Sequence, residues 1–289
     1  MLDSGRSPDI RPTRAATVRS ALYVPGNRPE LFDKALAGPA DVILLDLEDA
    51  VPLADKDAAR ATVSSWLRCV VAARQQIWVR VNSGAAGQDD LAAVALPAVS
   101  AVCLAKTESV EQVRAAAEVL GEYEPQHGAI RICPLLESAA AVLDARAIAA
   151  GPRVARLQLG EADLRAELGI EPSADDRELL TVRTQVVLAS AAAGIAAPLG
   201  PVSTDFRDPQ RLRESTRALA RMGFRGRACI HPAQLSVVNE IFTPAADELD
   251  RARALVDRFE SAAGGVLLDE AGRMGDLAVV RQARRPLEG

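Results

Sequence analysis

The chain has few of the residues that bind transition metals or form disulfides. Its 289 residues include two histidines and four cysteines, and the cysteines Cys69, Cys103, Cys133 and Cys229 form no C-x-x-C pair. The patterns H-x-x-H and H-E-x-x-H are also absent, which disfavours a zinc site. Cys103, Cys133 and Cys229 lie inside apolar runs, and we expect them to be small buried residues. The cysteine pattern suggests a reducing compartment, and we expect the protein to be cytoplasmic.

A membrane-spanning run, a signal peptide and an excess of positive charge are also missing. No apolar run approaches the ~18 residues that suggest a transmembrane helix. The formal net charge is −5, and the 34 Lys and Arg residues are spread along the chain. These features disfavour binding to nucleic acid or to a membrane surface, while a small anionic substrate held by local arginines remains open.

Three motifs that identify common enzyme classes are absent as well. No G-x-G-x-x-G follows a candidate strand, so a dinucleotide is not indicated. The chain has neither a Walker P-loop nor a G-x-S-x-G sequence, which disfavours nucleotide phosphate binding of that type and a serine hydrolase.

Short apolar runs alternate with amphipathic stretches along most of the chain. The runs are 20–26, 41–49, 76–82, 101–107, 129–138, 156–164, 196–202 and 226–232. Their nearly continuous hydrophobicity predicts strands that are buried on both faces, as in a parallel sheet. Eight strand–helix units favour an α/β fold of the (β/α)₈ TIM-barrel type over an open doubly wound sheet.

The pattern also predicts three regions. Residues 1–17 are polar and are expected to form a flexible N-terminal tail. Residues 18–235 are expected to form the catalytic barrel. Residues 236–289 continue with amphipathic segments, which predict a C-terminal helical lid or an arm that reaches a neighbouring subunit.

Polar residues end seven of the eight apolar runs. They are Asn27 and Arg28 after the first run, Asp46, Glu48 and Asp49 at the second, Arg80 and Asn82 at the third, Lys106 at the fourth, Glu137 at the fifth, Glu161 and Asp163 at the sixth, and His231 at the eighth. Active sites of (β/α)₈ barrels lie at the carboxyl ends of the strands. The sequence therefore predicts an active site built from these side chains.

Several of these residues also have an ordinary structural interpretation. Asp46, Glu48 and Asp49 cannot all face one way if they alternate along a strand, so one of them is expected to be an ion-pair partner. Lys106 and His231 could serve only to bind neighbouring backbone groups.

Glu137 and Asp163 point more clearly to a metal. Each follows strongly apolar residues and is expected to be a buried charge that needs a partner. Two carboxylates from adjacent strand ends, completed by water and substrate oxygens, suit Mg²⁺. On the residues alone, we expect metal-assisted chemistry on a small anionic molecule.

At these positions the sequence resembles the Mg²⁺-dependent CoA-ester lyases, which include the citrate lyase β subunit, malyl-CoA lyase and citramalyl-CoA lyase. The resemblance extends from about Ser20 to about Arg285. The matching segments are LYVPGNRPELFDKAL, ADVILLDLEDAVPLADKDAAR, VRVN, LAKTES, LLESA, LGEADLRAELG, GFRGRACIHPAQ and GRMGDLAVVRQAR.

The resemblance implies roles for individual residues. Glu137 and Asp163 are implied as the Mg²⁺ ligands, and Arg80 as a group that binds substrate oxygens. Tyr23, Arg28 and Lys34 match positions that help to hold the CoA ester. Ala162 and the pair Ile230 and His231 match positions that line the substrate or its pantetheine arm.

Asp276 matches a catalytic aspartate that the family's C-terminal segment delivers across a subunit interface. This match implies a homo-oligomer, usually a trimer or a pair of trimers. The sequence departs from the family pattern at Ala105, at Gly275 and at Glu161, which is displaced by one position.

The reaction implied by the resemblance is cleavage of a 3-hydroxyacyl-CoA that carries a second carboxylate. Its products are an acyl-CoA, commonly acetyl-CoA, and a 2-oxo acid. Three alternatives stay open: a malyl-CoA thioesterase, a metal-dependent aldolase acting on free oxo acids, and a subunit that needs a partner complex with an acyl carrier protein.

Overall fold

The computed structural model describes residues 17–261, 267–268, 274–275 and 277–287, and in it a strand forms within each of the eight predicted runs. The strands are β1 (Ser20–Pro25), β2 (Val42–Asp46), β3 (Gln76–Val81), β4 (Ala101–Leu104), β5 (Arg131–Leu136), β6 (Arg156–Leu159), β7 (Ala196–Leu199) and β8 (Arg227–Cys229).

Helices follow the strands along the chain. They are α1 (Phe32–Leu36), α2 (Lys56–Cys69), α3 (Gly84–Val94), α4 (Val110–Tyr123), α5 (Ala139–Leu143), α6 (Ala145–Ala149), α7 (Glu161–Leu168), α8 (Leu180–Ala192), α9 (Pro209–Met222), α10 (Leu235–Phe242), α11 (Ala246–Ser261) and α12 (Leu277–Leu287). Within the described residues, no helix has both the length and the apolar character required to cross a bilayer.

The eight strands are parallel and pair in the order β7-β6-β5-β4-β3-β2-β1-β8. A parallel bridge between Gly200 and Arg227 joins the two ends of this order. There the Gly200 N–H donates to the Gly226 carbonyl at 2.8 Å, and the Ala228 N–H donates to the Gly200 carbonyl at 3.0 Å. The predicted (β/α)₈ barrel is therefore confirmed, and the open doubly wound alternative is wrong.

Gly226 allows the start of β8 to lie close to the segment before β1. A Cβ atom at this position would lie 2.2 Å from the carbonyl oxygen of Val18. Only glycine tolerates so close an approach of two backbone segments.

Both faces of the strands are buried, as the apolar runs predicted. One face packs inside the barrel, where Val42, Leu44, Cys103 and Leu135 belong to a cluster of side chains from several strands. The other face packs against the helices in a larger core. Cys103, Cys133 and Cys229 are buried as expected, whereas Cys69 at the end of α2 is exposed.

Helix α9 illustrates how local sequence sets the boundaries of an element. The Asp208 side chain accepts a hydrogen bond from the Arg211 N–H at 2.9 Å, and Pro209 occupies the first turn. Gly223 ends the helix with a φ of 109°, which favours glycine. Asp55 lies at the N-cap of α2, but its side chain makes no capping hydrogen bond.

The C-terminal elements differ in where they pack. Helix α10 packs on α9 and β1 and buries Val237 and Val238 in the core between strands and helices. Helices α11 and α12 pack against each other, and the antiparallel strands β9 (Leu267–Leu268) and β10 (Met274–Gly275) lie between them in sequence. The predicted boundaries of the three regions stay predictions.

Candidate active site at the carboxyl ends of the strands

Charged side chains from neighbouring strands meet at one end of the barrel. Asp46 is the last residue of β2, and Arg80 lies one residue before the end of β3. Lys106 follows β4, and Glu137 follows β5 directly. Because all eight strands are parallel, these residues lie at the same mouth, where barrel enzymes carry their active sites.

Arg80 is fixed by a two-pronged ion pair with Asp46. Its Nε atom lies 2.6 Å from Asp46 Oδ1, and its Nη2 atom lies 2.6 Å from Asp46 Oδ2. Asp46 also accepts the backbone N–H groups of Glu48 at 2.9 Å and Ala50 at 3.2 Å. Burial alone would lower the pKa of Arg80, but its hydrogen bonds to Asp46 and the surrounding negative charges raise it. Arg80 therefore stays positively charged although it is only 8% exposed.

The remaining sides of the Arg80 guanidinium contact three other residues. Its Nη1 atom lies 3.0 Å from Glu48 Oε2 and 3.5 Å from Asp49 Oδ2. Its planar face lies 4.9 Å from the centre of the Tyr23 ring, in a cation–π arrangement. The guanidinium is therefore held rigidly, with only its Nη1 edge facing the exposed Asp49.

The expectation that the three acids of the second run cannot face one way is wrong. Asp46, Glu48 and Asp49 all lie within ion-pair distance of Arg80. The reason is that β2 ends at Asp46, so the alternation of a strand does not apply to the next residues. The expectation that one of them is an ion-pair partner is confirmed.

Lys106 links the cluster around Arg80 to Glu137. Its Nζ atom lies 3.1 Å from Glu48 Oε1, and its backbone N–H donates to Glu137 Oε1 at 2.6 Å. Lys106 adopts a φ of 52°, a conformation that is uncommon for residues other than glycine. Its role is therefore more than satisfying the backbone, because its side chain and its N–H contact two acidic residues of the site.

Glu137 is a buried carboxylate in a tight environment. It is 5% exposed, and a Cβ atom on the facing Gly160 would lie 2.8 Å from Glu137 Cβ and 3.0 Å from Oε2. Burial raises the pKa of Glu137 to about 8, and the nearby charges of Asp163 and Glu48 add to this effect. The Lys106 N–H opposes the rise without cancelling it.

Asp163 lies in the first turn of α7 rather than on a strand. Its side chain is exposed, so the prediction that it is a buried charge is wrong. The strand stops at Leu159, and Gly160 begins the helix that turns Asp163 towards the mouth of the barrel. Its charge nevertheless helps to raise the pKa of Glu137, so the two side chains lie near each other, and a metal ion held by both stays a prediction.

The Glu137 and Asp163 pair fits an oxygen-preferring divalent cation. A cation between them would favour the ionised form of Glu137 and so oppose the effects of burial and of the neighbouring acids, which raise its pKa. Among the residues that the structure describes, no group of three or more acidic, histidine or cysteine side chains is arranged to hold a metal ion. Mg²⁺ keeps several of its water ligands when it binds to a protein. A site that supplies only two carboxylates therefore suits Mg²⁺.

The three residues matched to CoA-ester binding differ in their exposure. Arg28 and Lys34 are exposed, and the Arg28 side chain pairs with Glu30. Tyr23 differs, because its ring lies under Arg80 and its hydroxyl accepts a hydrogen bond from Gln158 Nε2 at 2.8 Å. The structure therefore brings Tyr23 into the charged cluster and leaves Arg28 and Lys34 facing solvent.

Three further predicted residues lie on exposed segments at the same mouth. Ala162 is exposed in the first turn of α7, and Ile230 is 41% exposed after β8. His231 stacks on Phe206 at 4.5 Å between ring centres, and its Nδ1 atom accepts the Ala233 N–H at 3.2 Å. Asp276 lies outside the described residues.

The sequence did not reveal the residues that support the acidic loop. Lys56 Nζ donates to the carbonyls of Leu47 and Glu48, each at 2.9 Å, and to Asn82 Oδ1 at 2.7 Å. Its sequence neighbours gave no sign of this function, because the three acceptors belong to other elements. Lys56 thereby anchors the backbone that carries Glu48 and Asp49.

Glu161 has a structural partner instead of a place in the cluster. Its carboxylate accepts two hydrogen bonds from the buried Arg183, from Nε at 2.6 Å and from Nη2 at 2.9 Å. Asp176 lies 3.1 Å from the same guanidinium. Glu161 therefore fixes the start of α7 to α8, which positions the neighbouring Asp163.

Comparison with known proteins is consistent with this geometry. Residues 19–232 match the family described as HpcH/HpaI aldolase/citrate lyase. A citrate lyase subunit beta-like protein of Deinococcus radiodurans is 36% identical over 282 residues, which cover 93% of this chain and 96% of that protein. A (3S)-malyl-CoA thioesterase of Cereibacter sphaeroides is 34% identical over 251 residues, covering 86% of this chain and 85% of that protein.

A solved structure resembles the whole chain. The CitE protein of Mycobacterium tuberculosis, in complex with magnesium, acetoacetate and coenzyme A, superposes with a TM-score of 0.75 at 33% identity. The match covers 94% of this chain and 97% of that one. From the family match, the similarity along the chain and the shared barrel, we conclude that the protein belongs to the HpcH/HpaI aldolase/citrate lyase family.

Proposed function

We propose that the protein is a Mg²⁺-dependent lyase that cleaves a carbon–carbon bond in a 3-hydroxyacyl-CoA ester carrying a second carboxylate. The observation that carries the proposal is the convergence of Glu137 and Asp163 beside the fixed cation Arg80 at the catalytic end of the barrel. The M. tuberculosis relative, which was crystallised with magnesium, acetoacetate and coenzyme A, supports both the metal and the ligand class.

Glu137 and Asp163 would hold the metal through their carboxylate oxygens. The Lys106 N–H fixes one oxygen of Glu137 at 2.6 Å, and Gly160 leaves the room that the side chain occupies. Bound Mg²⁺ would supply a Lewis acid that stabilises negative charge on the substrate's oxygen atoms. In this proposal the role of the protein is to present two ionised carboxylates at a fixed separation from Arg80.

Arg80 would bind the oxygen atoms of the substrate and offset the negative charge that develops on them. Cleavage removes the proton of the 3-hydroxyl group and breaks the bond between carbons 2 and 3 of the acyl chain. The electron pair of that bond passes to the thioester as an enolate, which takes up a proton to give the acyl-CoA. A preorganised cation in a site with little water stabilises such charge strongly, and the contacts with Asp46 and Tyr23 keep Arg80 from moving.

We propose Asp276 as the group that exchanges the proton with the enolate carbon. General acid–base groups typically contribute about 10² to 10⁴ in rate. If a neighbouring subunit delivers Asp276, the working enzyme is a homotrimer or a pair of trimers, and residues 236–289 form the arm that completes the site.

A second activity of the same site is hydrolysis of the thioester. The 34% identity to a malyl-CoA thioesterase favours this candidate. In that reaction the site would direct water to the thioester carbon, and the products would be free CoA and a hydroxydicarboxylate. The two candidates differ in their products rather than in their metal or binding residues.

A product assay on the purified chain distinguishes these activities. Malyl-CoA, citramalyl-CoA and citryl-CoA are each incubated with the protein and Mg²⁺, and 2-oxo acid, acyl-CoA and free CoA are measured by liquid chromatography and mass spectrometry. We expect equal amounts of 2-oxo acid and acyl-CoA from at least one ester. Free CoA without 2-oxo acid would identify a thioesterase instead, and no turnover of any ester would contradict the proposal for the isolated chain.

A further inference from the structure

A cavity lies at the opposite mouth of the barrel, at the amino ends of the strands. Its volume is about 390 Å³. The first residues of β3 to β7 line it, together with Val18 from the segment before β1. Catalytic groups of (β/α)₈ enzymes belong to the other mouth, so the proposed reaction does not account for this cavity.

Arg156 is the most unusual residue of this cavity. It is the first residue of β6, and its side chain is 6% exposed. Its one hydrogen bond within the described part of the chain runs from Nη1 to the Val18 carbonyl at 3.1 Å. Burial lowers the pKa of Arg156, although an arginine does not lose its proton in a protein. The structure thus holds a buried positive charge whose remaining N–H groups lack a carboxylate among the described residues.

The other buried arginines of the barrel have better partners. Arg80 and Arg183 each form two hydrogen bonds with one carboxylate. Arg227 has no ion pair among the described residues, but it donates to the Pro201 carbonyl and to two hydroxyl groups of α9 at 2.7 to 2.9 Å. Arg156 alone in this set is left with one backbone acceptor and an adjoining cavity.

The cavity wall adds a second positive charge and no negative one. Arg131, the first residue of β5, lines the cavity beside Arg156, and none of the lining side chains is acidic. The rest of the wall is mostly apolar and includes Trp78, Val99 and Ile132. Two guanidinium groups beside an apolar wall match a ligand with a carboxylate at one end and a hydrocarbon body at the other.

We propose that this mouth of the barrel binds a small organic carboxylate, held by Arg156 and Arg131 with its hydrocarbon part against Trp78. The geometry of a guanidinium allows it to bind both oxygens of a carboxylate. Such a ligand would neutralise the charge of Arg156 inside the barrel, and it would stabilise the folded chain because it binds only to that state. This site is independent of the proposed catalytic function.

Trp78 provides a local signal for the test. The chain contains two tryptophans, Trp66 and Trp78, and the substitution Trp66→Phe leaves Trp78 as the only one. The fluorescence of this full-length protein is titrated with butyrate and, as a neutral analogue of the same shape, with butyramide. We expect a saturable change with butyrate and none with butyramide, because the two arginines select the charge.

Variants in the same background test the two arginines. Arg156→Met is expected to weaken butyrate binding at least tenfold, and Arg131→Gln at least threefold, whereas Arg114→Gln on the exposed face of α4 retains the parent affinity. Circular dichroism checks that each variant is folded. If Arg156→Met does not fold, the affinity of Arg131→Gln for butyrate decides the test. Equal responses to butyrate and butyramide, no saturable response, or parent affinity in a folded arginine variant would overturn the proposal.

Discussion

Glu137 occupies a position that is costly for a charged residue in the absence of a cation. Its carboxylate is buried, and two other acids lie near it. The Lys106 N–H is the hydrogen-bond donor that contacts it directly. A residue held under these conditions is more typical of a functional site than of a stabilising one, because a buried charge without a partner costs stability.

The contact between Glu137 and Gly160 leads to a first prediction. In Gly160→Ala the added Cβ would lie 2.8 Å from Glu137 Cβ, so the carboxylate has to shift away from its position beside Asp163. We expect at least a tenfold loss of Mg²⁺ affinity by titration calorimetry and a loss of stability of about 1–3 kcal/mol, as for other overpacked sites.

The matched control is Gly121→Ala in the last turn of α4, where the nearest atom to the new Cβ is the tip of His127 at 3.3 Å. It should bind Mg²⁺ like the parent protein. If Gly160→Ala also binds Mg²⁺ with the parent affinity, Glu137 is not a metal ligand in this position.

Arg28 and Lys34 carry a second prediction at the residue scale. Both are exposed on the segment that follows β1, and the phosphates of a CoA ester would be attracted to them. We expect Arg28→Ala and Lys34→Ala to raise KM for the CoA ester about five- to tenfold with little change in kcat, and the difference should shrink at high salt.

Arg221→Ala, an exposed arginine at the end of α9, is the control and should leave KM unchanged. An unaltered KM in both the Arg28 and Lys34 variants would mean that the CoA ester enters along another part of the rim.

The strands were predictable because each is an apolar run with both faces buried, but their ends were not. The runs 41–49 and 156–164 continue past the strands, which stop at Asp46 and Leu159. Glu48 thus lies in a turn and Asp163 in a helix, and no alternation rule places their side chains. Sequence order predicted that Glu137 and Asp163 converge, whereas the burial of one and the exposure of the other depend on how the elements pack.

The structural supports of the site could not be predicted for a related reason. Lys56 and Gln158 act through partners that are distant in sequence. Nothing in their own segments distinguishes them from ordinary polar residues. The family resemblance identified Arg80 and Tyr23, but the contact between them appears only when β1 and β3 are placed in one barrel.

The connection between α4 and β5 yields a prediction about how the stability of the fold depends on pH. Glu124 ends α4 and accepts the N–H groups of Gly128 and Ile130, and it pairs with Arg153 at 2.7 Å. Burial raises the pKa of Glu124, but these hydrogen bonds and the arginine outweigh it and hold the pKa below its usual value. Its stabilising effect is therefore complete above the unfolded pKa of about 4.3 and is lost as pH falls through the lower folded value.

Glu124→Gln should lower the free energy of unfolding at pH 7 by about 1–3 kcal/mol, because the amide cannot accept all of these bonds. The difference from the parent protein should decrease when urea unfolding is repeated near pH 3.5. Glu122→Gln, an exposed residue of the same helix, should have no such effect. A difference that is the same at both pH values would show that the charge of Glu124 contributes nothing.

The barrel presents Glu137, Asp163 and Arg80 at one mouth, and the proposed acid–base residue Asp276 belongs to the segment between β10 and α12. If that segment reaches a neighbouring subunit, each site combines residues of two chains. An oligomer then follows from the chemistry, because an isolated chain would lack the group that exchanges a proton with the enolate.

This arrangement predicts complementation between two inactive variants. Glu137→Ala and Asp276→Asn are each expected to lose at least 99% of the activity, and a mixture that has exchanged subunits should recover part of it. In a mixed oligomer some sites combine an intact metal pair from one chain with an intact Asp276 from another. No recovery, despite exchange verified by native mass spectrometry, would contradict an aspartate shared between subunits.

The most direct measurement of the central claim is the Mg²⁺ dependence of carbon–carbon cleavage in variants of the two carboxylates. With the ester that the wild-type protein turns over fastest, 2-oxo acid release is measured across a range of Mg²⁺ concentrations for Glu137→Ala, Asp163→Ala and the exposed control Glu118→Ala. We predict at least a hundredfold loss of activity or a large rise in the Mg²⁺ requirement for the first two, and wild-type behaviour for the control. Wild-type rates with an unchanged Mg²⁺ dependence in Glu137→Ala and Asp163→Ala would contradict the account.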